Sequence, residues 1–470
     1  MTEIMDRKIY SRRSMRSLRA KRHNWAQVGV GSLAQLLTSV ERYNREHLDA
    51  RIDIVFLCGS DKDASRRYFE EPLSQGWAFK HPFTFKDRGA TYQRGAEEIY
   101  VKLVSHRDSW FPGCEDQVVA CEAWRVFRAD WESSTGLPLL SSPSKTGQAL
   151  LWEMLPQGQE FPALPADVEK IVRANSPQHR IEDFETINRV VDPESAEFYQ
   201  YDGRWMYAAL ATLDRLPIGE PRRVGYFKPY EPGWHKMRIK IPDSWDHIGL
   251  IPCLDPDGVG WVCPNGAGSI IEGWVSEPEL TLALSHGWEV VEHCDGWVFD
   301  KGRPLGAWAK KLIDMRRRFR DKHDALAEKY EYEPDWESPQ NYVAAAVRQI
   351  LNHTIGSLHA RGYERELFVS DDDWKAWRRE NAGWFDLHRA ERVEGKGWNV
   401  THWVPDDSPL SINMPHWSAT IWALERARVA QYALRCNPAT IVKINGDAIY
   451  STAELPFEDN GNLGQLRRKE

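Results

Sequence analysis

No run of about eighteen apolar residues occurs in this 470-residue sequence, which argues against a membrane-spanning helix. No apolar stretch follows the basic N-terminus, so a secretory leader is not expected. Cysteine is sparse: seven residues, Cys58, Cys114, Cys121, Cys253, Cys263, Cys294 and Cys436, without one CxxC pair. An odd, scattered set argues against a disulfide framework and a structural zinc site, and points to reduced thiols in the cytoplasm. Excess positive charge is also lacking, since the formal net charge is −8. No internal repeat or low-complexity tract stands out.

What is present describes a globular protein. Hydrophobic residues make up 42% and charged residues 28%, enough apolar material for a sizeable core. The length suits about three domains of ordinary size, or two larger ones. One stretch departs from the average: RKIYSRRSMRSLRAKR, Arg7 to Arg22, holds eight cations and no acid. Within an arm spanning 1–24, it could lie along phosphates, or it could be a solvated tail. The 22 tryptophans are the second departure. Trp234, Trp245, Trp261, Trp274, Trp288, Trp297 and Trp308 are evenly spread, which suits packing better than a row of base-stacking platforms.

Hydrophobic spacing predicts a mixed α/β architecture. SLAQLLTSVERYNREH has helical spacing, RIDIVFLC reads as a buried strand, and VVACEAWRVFRADWES is a second helix. TGLPLLSSPSKTGQALL, rich in Gly, Pro and Ser, reads as a loop or junction. A long helix with a basic middle is expected over about 305–330, followed by YVAAAVRQILNHTIGSLHA and HWSATIWALERARVAQYAL. Strand-like segments flank YQYDGRWMYAAL. IVKINGDAIYST, 441–452, places Asn-Gly between apolar runs, the strongest short signal for a tight β-hairpin.

Three places could carry chemistry. Asp202 stands at an expected strand end, where a carboxylate can hold a metal; an ordinary Asp-Gly turn is the alternative. Arg348 and Asn352 are four apart on one helix and share a face, with Gly356 continuing the row, where a close approach needs no side chain. They could read a phosphate and a neighbouring group, or form a solvated stripe. Asp447 follows the hairpin turn, and two aspartates would suit the oxygen preference of Mg²⁺ in a two-metal displacement.

In order, these segments resemble the motifs of family B DNA polymerases. DGRWMY at 202–207 resembles the first palm motif, Asp-x-x-Ser-Leu-Tyr-Pro. RQILNHTIG at 348–356 resembles the fingers motif, Lys-x-x-x-Asn-Ser-x-Tyr-Gly. NGDA at 445–448 resembles the second palm motif, Asp-Thr-Asp-Ser, with Asp447 on its second aspartate. The resemblance covers roughly 140–470 and is closest to the protein-primed, plasmid and phage branch. It implies an α/β (α+β) fold: an arm at 1–24, a mixed α/β domain at 25–140 (a degenerate exonuclease-like, RNase H-like domain by position), palm at 141–300 and 363–470, and fingers helices at 301–362. It implies DNA-directed DNA polymerase activity with two Mg²⁺ ions, or Mn²⁺, on Asp202 and Asp447. Arg316 and Arg348 would clamp the triphosphate, with Gly203 also at the nucleotide. Tyr207 would lie under the sugar and Asn352 near the incoming base. The expected partners are DNA template and primer, dNTPs and a terminal or accessory replication protein, with no membrane.

The sequence also departs from that pattern. Arg348 stands for Lys, Asn445 for the first aspartate of the second palm motif, and Ile355 for the fingers Tyr. The sequence stops 23 residues beyond Asp447, so no thumb or downstream Lys-x-Tyr motif is expected. DFET at 183–186 spells an exonuclease motif but lies too close to Asp202, and Asp183 and Glu185 read as interdomain surface. Two rivals therefore stand beside the enzyme: a weak or inactive polymerase-like protein that recognises DNA ends or recruits a partner, and a primase-like short-tract enzyme.

Overall fold

A computed structural model describes residues 9–10, 33–46, 48, 54–59, 73–84, 89–105, 110–112, 114, 117–140, 142–155, 161–184, 198–254, 260–329, 341–359, 363–381, 385, 390–404, 413–457 and 461–469. In chain order the elements are β1 (Ile9–Tyr10), α1 (Leu33–Glu46), β2 (Ile54–Gly59), β3 (Ala78–Thr84), β4 (Gly89–Arg94), β5 (Glu97–Ser105), α2 (Gln117–Thr135) and α3 (Pro143–Met154). There follow β6 (Phe161–Pro162), α4 (Ala166–Ala174), β7 (Ile181–Asp183), β8 (Tyr199–Gly203), α5 (Met206–Ala211), β9 (Leu216–Arg223), β10 (Gly233–Lys240), β11 (Cys253–Leu254), β12 (Trp261–Val262), β13 (Ile270–Ser276), α6 (Glu277–Ser285) and β14 (Glu289–Gly302). The last are α7 (Gly306–Lys329), α8 (Tyr342–Leu358), β15 (Tyr363–Ser370), α9 (Asp371–Glu380), β16 (Glu391–Val393), β17 (Gly397–Val404), α10 (Pro415–Ala433), β18 (Ile441–Asn445), β19 (Ala448–Ser451) and β20 (Leu466–Arg468). The fold is mixed α/β.

The chain divides into two compact units. One comprises Arg12–Met154 and Lys311–Thr354. Its sheet has the order β2-β5-β4-β3, with β2 parallel to β5 and the other pairs antiparallel. The spacing of Leu33, Leu37 and Val40 gives α1 an apolar stripe, which buries against Trp77, Tyr92, Ile99 and Val101. Segment 135–151, expected to be a loop or junction, is half helix: Pro143 suits the first turn of α3, where its missing N–H is no loss. Gly147 inside that helix is explained by α8, because a Cβ there would stand 1.9 Å from Thr354 Oγ1. Asn341 caps α8 through Ala344 N (3.0 Å) and donates to the Arg320 carbonyl (2.9 Å), fastening the start of α8 to α7.

The other unit comprises Met1–Ser11, Leu155–Lys310 and Ile355–Glu470. Its central sheet is antiparallel, in the order β20-β8-β19-β18-β7. A second antiparallel sheet runs β13-β10-β14-β9, and a third runs β15-β17-β16. Helix α10 is apolar nearly all round and is buried along most of its length, packing on α4, α5, α6, β9 and β19. Trp234, Trp308 and Trp417 are fully buried, so much of the tryptophan serves packing. Of the basic arm, only Ile9 and Tyr10 are described, paired with Pro162 and Phe161; the rest of 7–22 lies outside the described residues. Asp183 ends edge strand β7 and bridges Lys443 at 3.0 Å. Glu185 lies outside the described residues.

Candidate active site

The hairpin expected at Asn-Gly forms one residue further on. Asn445 pairs with Ala448, so Gly446 and Asp447 are the two central residues of the turn. Gly446 has φ 60°, a conformation glycine supplies cheaply at the first central position. Asp447 is therefore inside the turn rather than behind it. Strand β8 lies alongside: Asp202 pairs with Ala448, and Gly203 N donates to the Asp447 carbonyl at 2.9 Å.

The two aspartates thus come to the same end of the sheet, Asp202 within β8 and Asp447 in the turn beside it. Successive residues of a strand alternate in direction. Asp202 shares a face with Gln200 and is flanked by Arg467 and Lys469 of the β20 side; Lys469 Nζ stands 3.9 Å from its carboxylate. Asp447 lies on the Gly203 side, where a Cβ on Gly203 would meet Asp447 Oδ2 at 2.7 Å and its Cβ at 3.0 Å. Gly203 is glycine because Asp447 occupies its side-chain space. The sequence resemblance implied a shared two-metal site on Asp202 and Asp447, and the register brings the backbones of both to the same end of the β8–β19 pair.

The Asp447 face gathers other groups. Tyr207, on α5, shares a 2.9 Å hydrogen bond with His179 Nδ1. Burial first, then the charges of Glu425 and Asp447, holds its hydroxyl well above the usual phenol range. Between β8 and α5, Trp205 adopts a left-handed conformation at φ 50°, which is costly for a bulky residue and tends to persist near functional sites. Glu425 comes from α10, is fully buried, and has no hydrogen-bond partner on either carboxylate oxygen. Burial raises its pKa to about 8; Arg426 opposes that rise, and Asp447 and Glu279 add to it. Arg426, its sequence neighbour, is instead committed to Glu279 at 2.6 Å and to the Pro177 carbonyl.

Of the remaining expected residues, Arg316, Arg348 and Asn352 lie in the other unit, while Ile355 and Gly356 belong to the unit of the central sheet. Arg348 is exposed and Asn352 half-buried on α8, with Asn352 Oδ1 lacking a hydrogen-bond partner. Arg316 is half-buried on α7. Gly356, read as a point of close approach, has nothing within 4 Å of a Cβ placed there among the described residues. Ile355 is buried at the C-terminal part of α8 and accepts a hydrogen bond from Ser418 at its carbonyl. Among the described residues, no group of three or more His, Cys, Asp or Glu side chains forms a ready-made metal cage. Glu425 and His179 were not found by sequence reasoning. An acid in the middle of WALERAR, within a helix apolar on all sides, is the signal that could have found Glu425.

No protein-family model matches the chain, and no curated protein does. Solved structures do match. The chain is similar to phi29 DNA polymerase complexed with primer-template DNA and incoming nucleotide substrates, at 14% identity and a TM-score of 0.57, over 94% of this chain and 78% of that one. A binary complex of phi29 DNA polymerase with primer-template DNA gives 14% identity and 0.56, over 93% and 77%. Its complex with single-stranded DNA gives 13% and 0.55, over 91% and 77%. The chain has a phi29 polymerase-like fold. Among the described residues, no helix is long and apolar enough to cross a membrane.

Proposed function

We propose that this chain acts on DNA as a polymerase-type nucleotidyltransferase, in which a primer 3′-hydroxyl attacks the α-phosphate of a dNTP and pyrophosphate leaves. The observation that carries this reading is the fold likeness, over nearly the whole chain, to a polymerase held with primer-template DNA and incoming nucleotides. The hairpin that sets Asp447 against the end of β8 supports it. In this reading 141–300 and 363–470 serve as palm, 301–362 as fingers, and 25–140 as a degenerate exonuclease-like domain, with a terminal or accessory replication protein as partner.

Phosphoryl transfer depends on positioning and charge neutralisation more than on covalent chemistry. Divalent cations, Mg²⁺ or Mn²⁺, supply much of that neutralisation when bound. The chain's own residues do the rest. Arg348 and Arg316 grip the triphosphate, Arg348 with a fork that can bind phosphate oxygens in pairs. Asn352 offers its unpartnered amide oxygen to the incoming base. Tyr207, fixed by His179, forms the floor under the sugar.

One observation favours a second reading: Asp202 is paired with Lys469 at 3.9 Å and lies opposite Arg467. A polymerase-like protein that binds DNA without extending it fits a carboxylate already balanced by cations. Incubating the chain with a labelled primer-template, dNTPs and Mg²⁺ or Mn²⁺ separates the two. Primer extension is the expected result; tight DNA binding with no extension under either metal sinks the enzyme. In the same assay Arg348→Ala should raise the dNTP KM by about tenfold or more, since losing a charge-assisted contact costs about 1.5–3 kcal/mol, while DNA affinity stays unchanged. Unaltered KM and kcat remove Arg348 from the site.

A further inference from the structure

We infer that His235 of β10 and His293 of β14 form a two-imidazole site for a transition-metal ion of the zinc class. The pair sits on the sheet β13-β10-β14-β9 and not on the central sheet. It needs neither DNA nor nucleotide, and it stands whether or not the chain extends primers.

The strands build the pair. Met237 is opposite His293 and Lys236 is opposite Asp295, which leaves Cys294 as the extra residue of a β-bulge in β14. Bulges of this kind re-aim a neighbouring side chain. His293 Nε2 stands 3.2 Å from His235 Nδ1. Zinc takes imidazole nitrogen at about 2.0–2.1 Å, and tetrahedral angles then set two ligand nitrogens about 3.3–3.4 Å apart. A small side-chain movement closes that difference. Gly296, opposite His235, keeps the space open: a Cβ there would stand 2.8 Å from His235 Nδ1 and 3.3 Å from His293 Nε2. Phe227 packs edge-on against His235, with ring centroids 5.1 Å apart.

The chemistry of the two rings suits a metal as well. Burial first, and then the neighbouring His293, lowers His235 to about 4, and burial lowers His293 against the opposing charge of Asp295. Both rings are therefore neutral near neutral pH, the form that binds a metal. His235 Nε2 and His293 Nδ1 are buried and have no hydrogen-bond partner among the described residues. No such bond fixes which nitrogen of either ring carries its proton, so both rings can turn a lone pair inward together. A direct hydrogen bond uses one of those lone pairs; an ion between the rings uses both. Imidazole suits Zn²⁺, Ni²⁺ and Cu²⁺, whereas Mg²⁺ prefers oxygen. Asp295 is already held by Arg223 at 2.8 and 2.9 Å and by Gly296 N at 2.9 Å, so water completes the shell.

Calorimetric titration of the full chain with Zn²⁺, after a chelator has stripped other metals, tests the site. One Zn²⁺ should bind, and millimolar Mg²⁺ should not displace it. His293→Gln and Gly296→Ala should each weaken binding by about tenfold or more, the second while keeping both imidazoles. Wild-type affinity in either variant overturns the inference, as does failure of the wild-type chain to bind Zn²⁺. A second measurement needs no variant, so a substitution that disturbs folding cannot decide the matter. Bound Cu²⁺ with ascorbate and peroxide oxidises the imidazoles that hold it, and mass spectrometry locates them. Oxidation at His235 or His293 that excess Zn²⁺ suppresses is expected. Oxidation confined to other histidines overturns the site.

Discussion

Residues 202 and 203 are consecutive, yet they face two different chemical environments. On the Asp202 side the sheet presents Gln200, Arg467 and Lys469, a balanced and partly exposed group. On the Gly203 side lie Asp447, Tyr207 and Glu425, where burial first, and then the neighbouring acids, make Tyr207 and Glu425 hard to ionise. One pleat separates an ordinary surface ion pair from a strained acidic pocket. The difference teaches that proximity along the chain, or between strands, does not make a site; the register that assigns each side chain to a face does.

The sharpest way to break the contrast is to fill the space that keeps Asp447 on its face. In Gly203→Ala the new Cβ would meet Asp447 Oδ2 at 2.7 Å, Asp447 Cβ at 3.0 Å and Met206 Cε at 3.0 Å. The methionine can swing away, but the Asp447 Cβ is tied to a tight turn. Overpacking of this kind costs about 1–3 kcal/mol, and the turn should shift. Urea unfolding should record the loss, and amide exchange at 445–448 should rise. Wild-type stability with unchanged exchange would mean that Asp447 does not occupy that space.

Acidity sharpens the contrast next. With the chain free of metal, the Glu425 pKa is raised by burial to about 8, so the folded form holds a proton that the unfolded form releases above about pH 4.5. The folded state binds more protons across that interval, so its stability falls as pH rises and levels off above about 8. His416 and His235 act in the opposite sense: burial lowers them to about 3 and about 4, so stability rises with pH up to about 6.5. The window that isolates Glu425 is therefore about pH 6.5–8, where it contributes a decline of roughly 2 kcal/mol at about 1.4 kcal/mol per unit. Glu425→Gln should abolish the decline and leave the variant more stable than wild type at pH 8. Parallel stability curves for the two proteins would place Glu425 in contact with water.

Much of this was legible in the residues. The helices at 33–46, 306–329, 342–358 and 415–433 follow from apolar spacing, and Asn-Gly located the hairpin to within one residue. The turn moved by one because Gly446, not Asn445, supplies the positive φ at its first central position. Helix α3 was hidden because its Pro and Gly were read as breakers; Pro143 opens the helix, and Gly147 admits Thr354 of α8. The faces of Asp202 and Asp447 could not be read at all. They depend on how β8 meets β19, a pairing across more than 240 residues that no local signal fixes. Glu425 stayed out of sight for the same reason, since its role comes from what packs around α10.

The smallest expected effect falls on Asp202, and it decides most between the two faces. Its carboxylate makes one ion pair, with Lys469 at 3.9 Å, and both side chains retain 22% of their exposure. A pair of that length, still open to water, contributes about 0–1 kcal/mol and is weakened further by salt. Asp202→Asn should therefore leave the unfolding midpoint nearly unchanged, and any difference should vanish as ionic strength rises. If the acidic work is done on the Asp447 side, primer extension by Asp202→Asn should persist, whereas Asp447→Asn should stop it. If instead the two substitutions abolish extension alike while both chains stay folded, Asp202 serves the reaction as well. Amide exchange at 199–203 with and without a primer-template duplex would then show whether DNA shifts β8, and unchanged exchange would mean that the register of the free chain suffices.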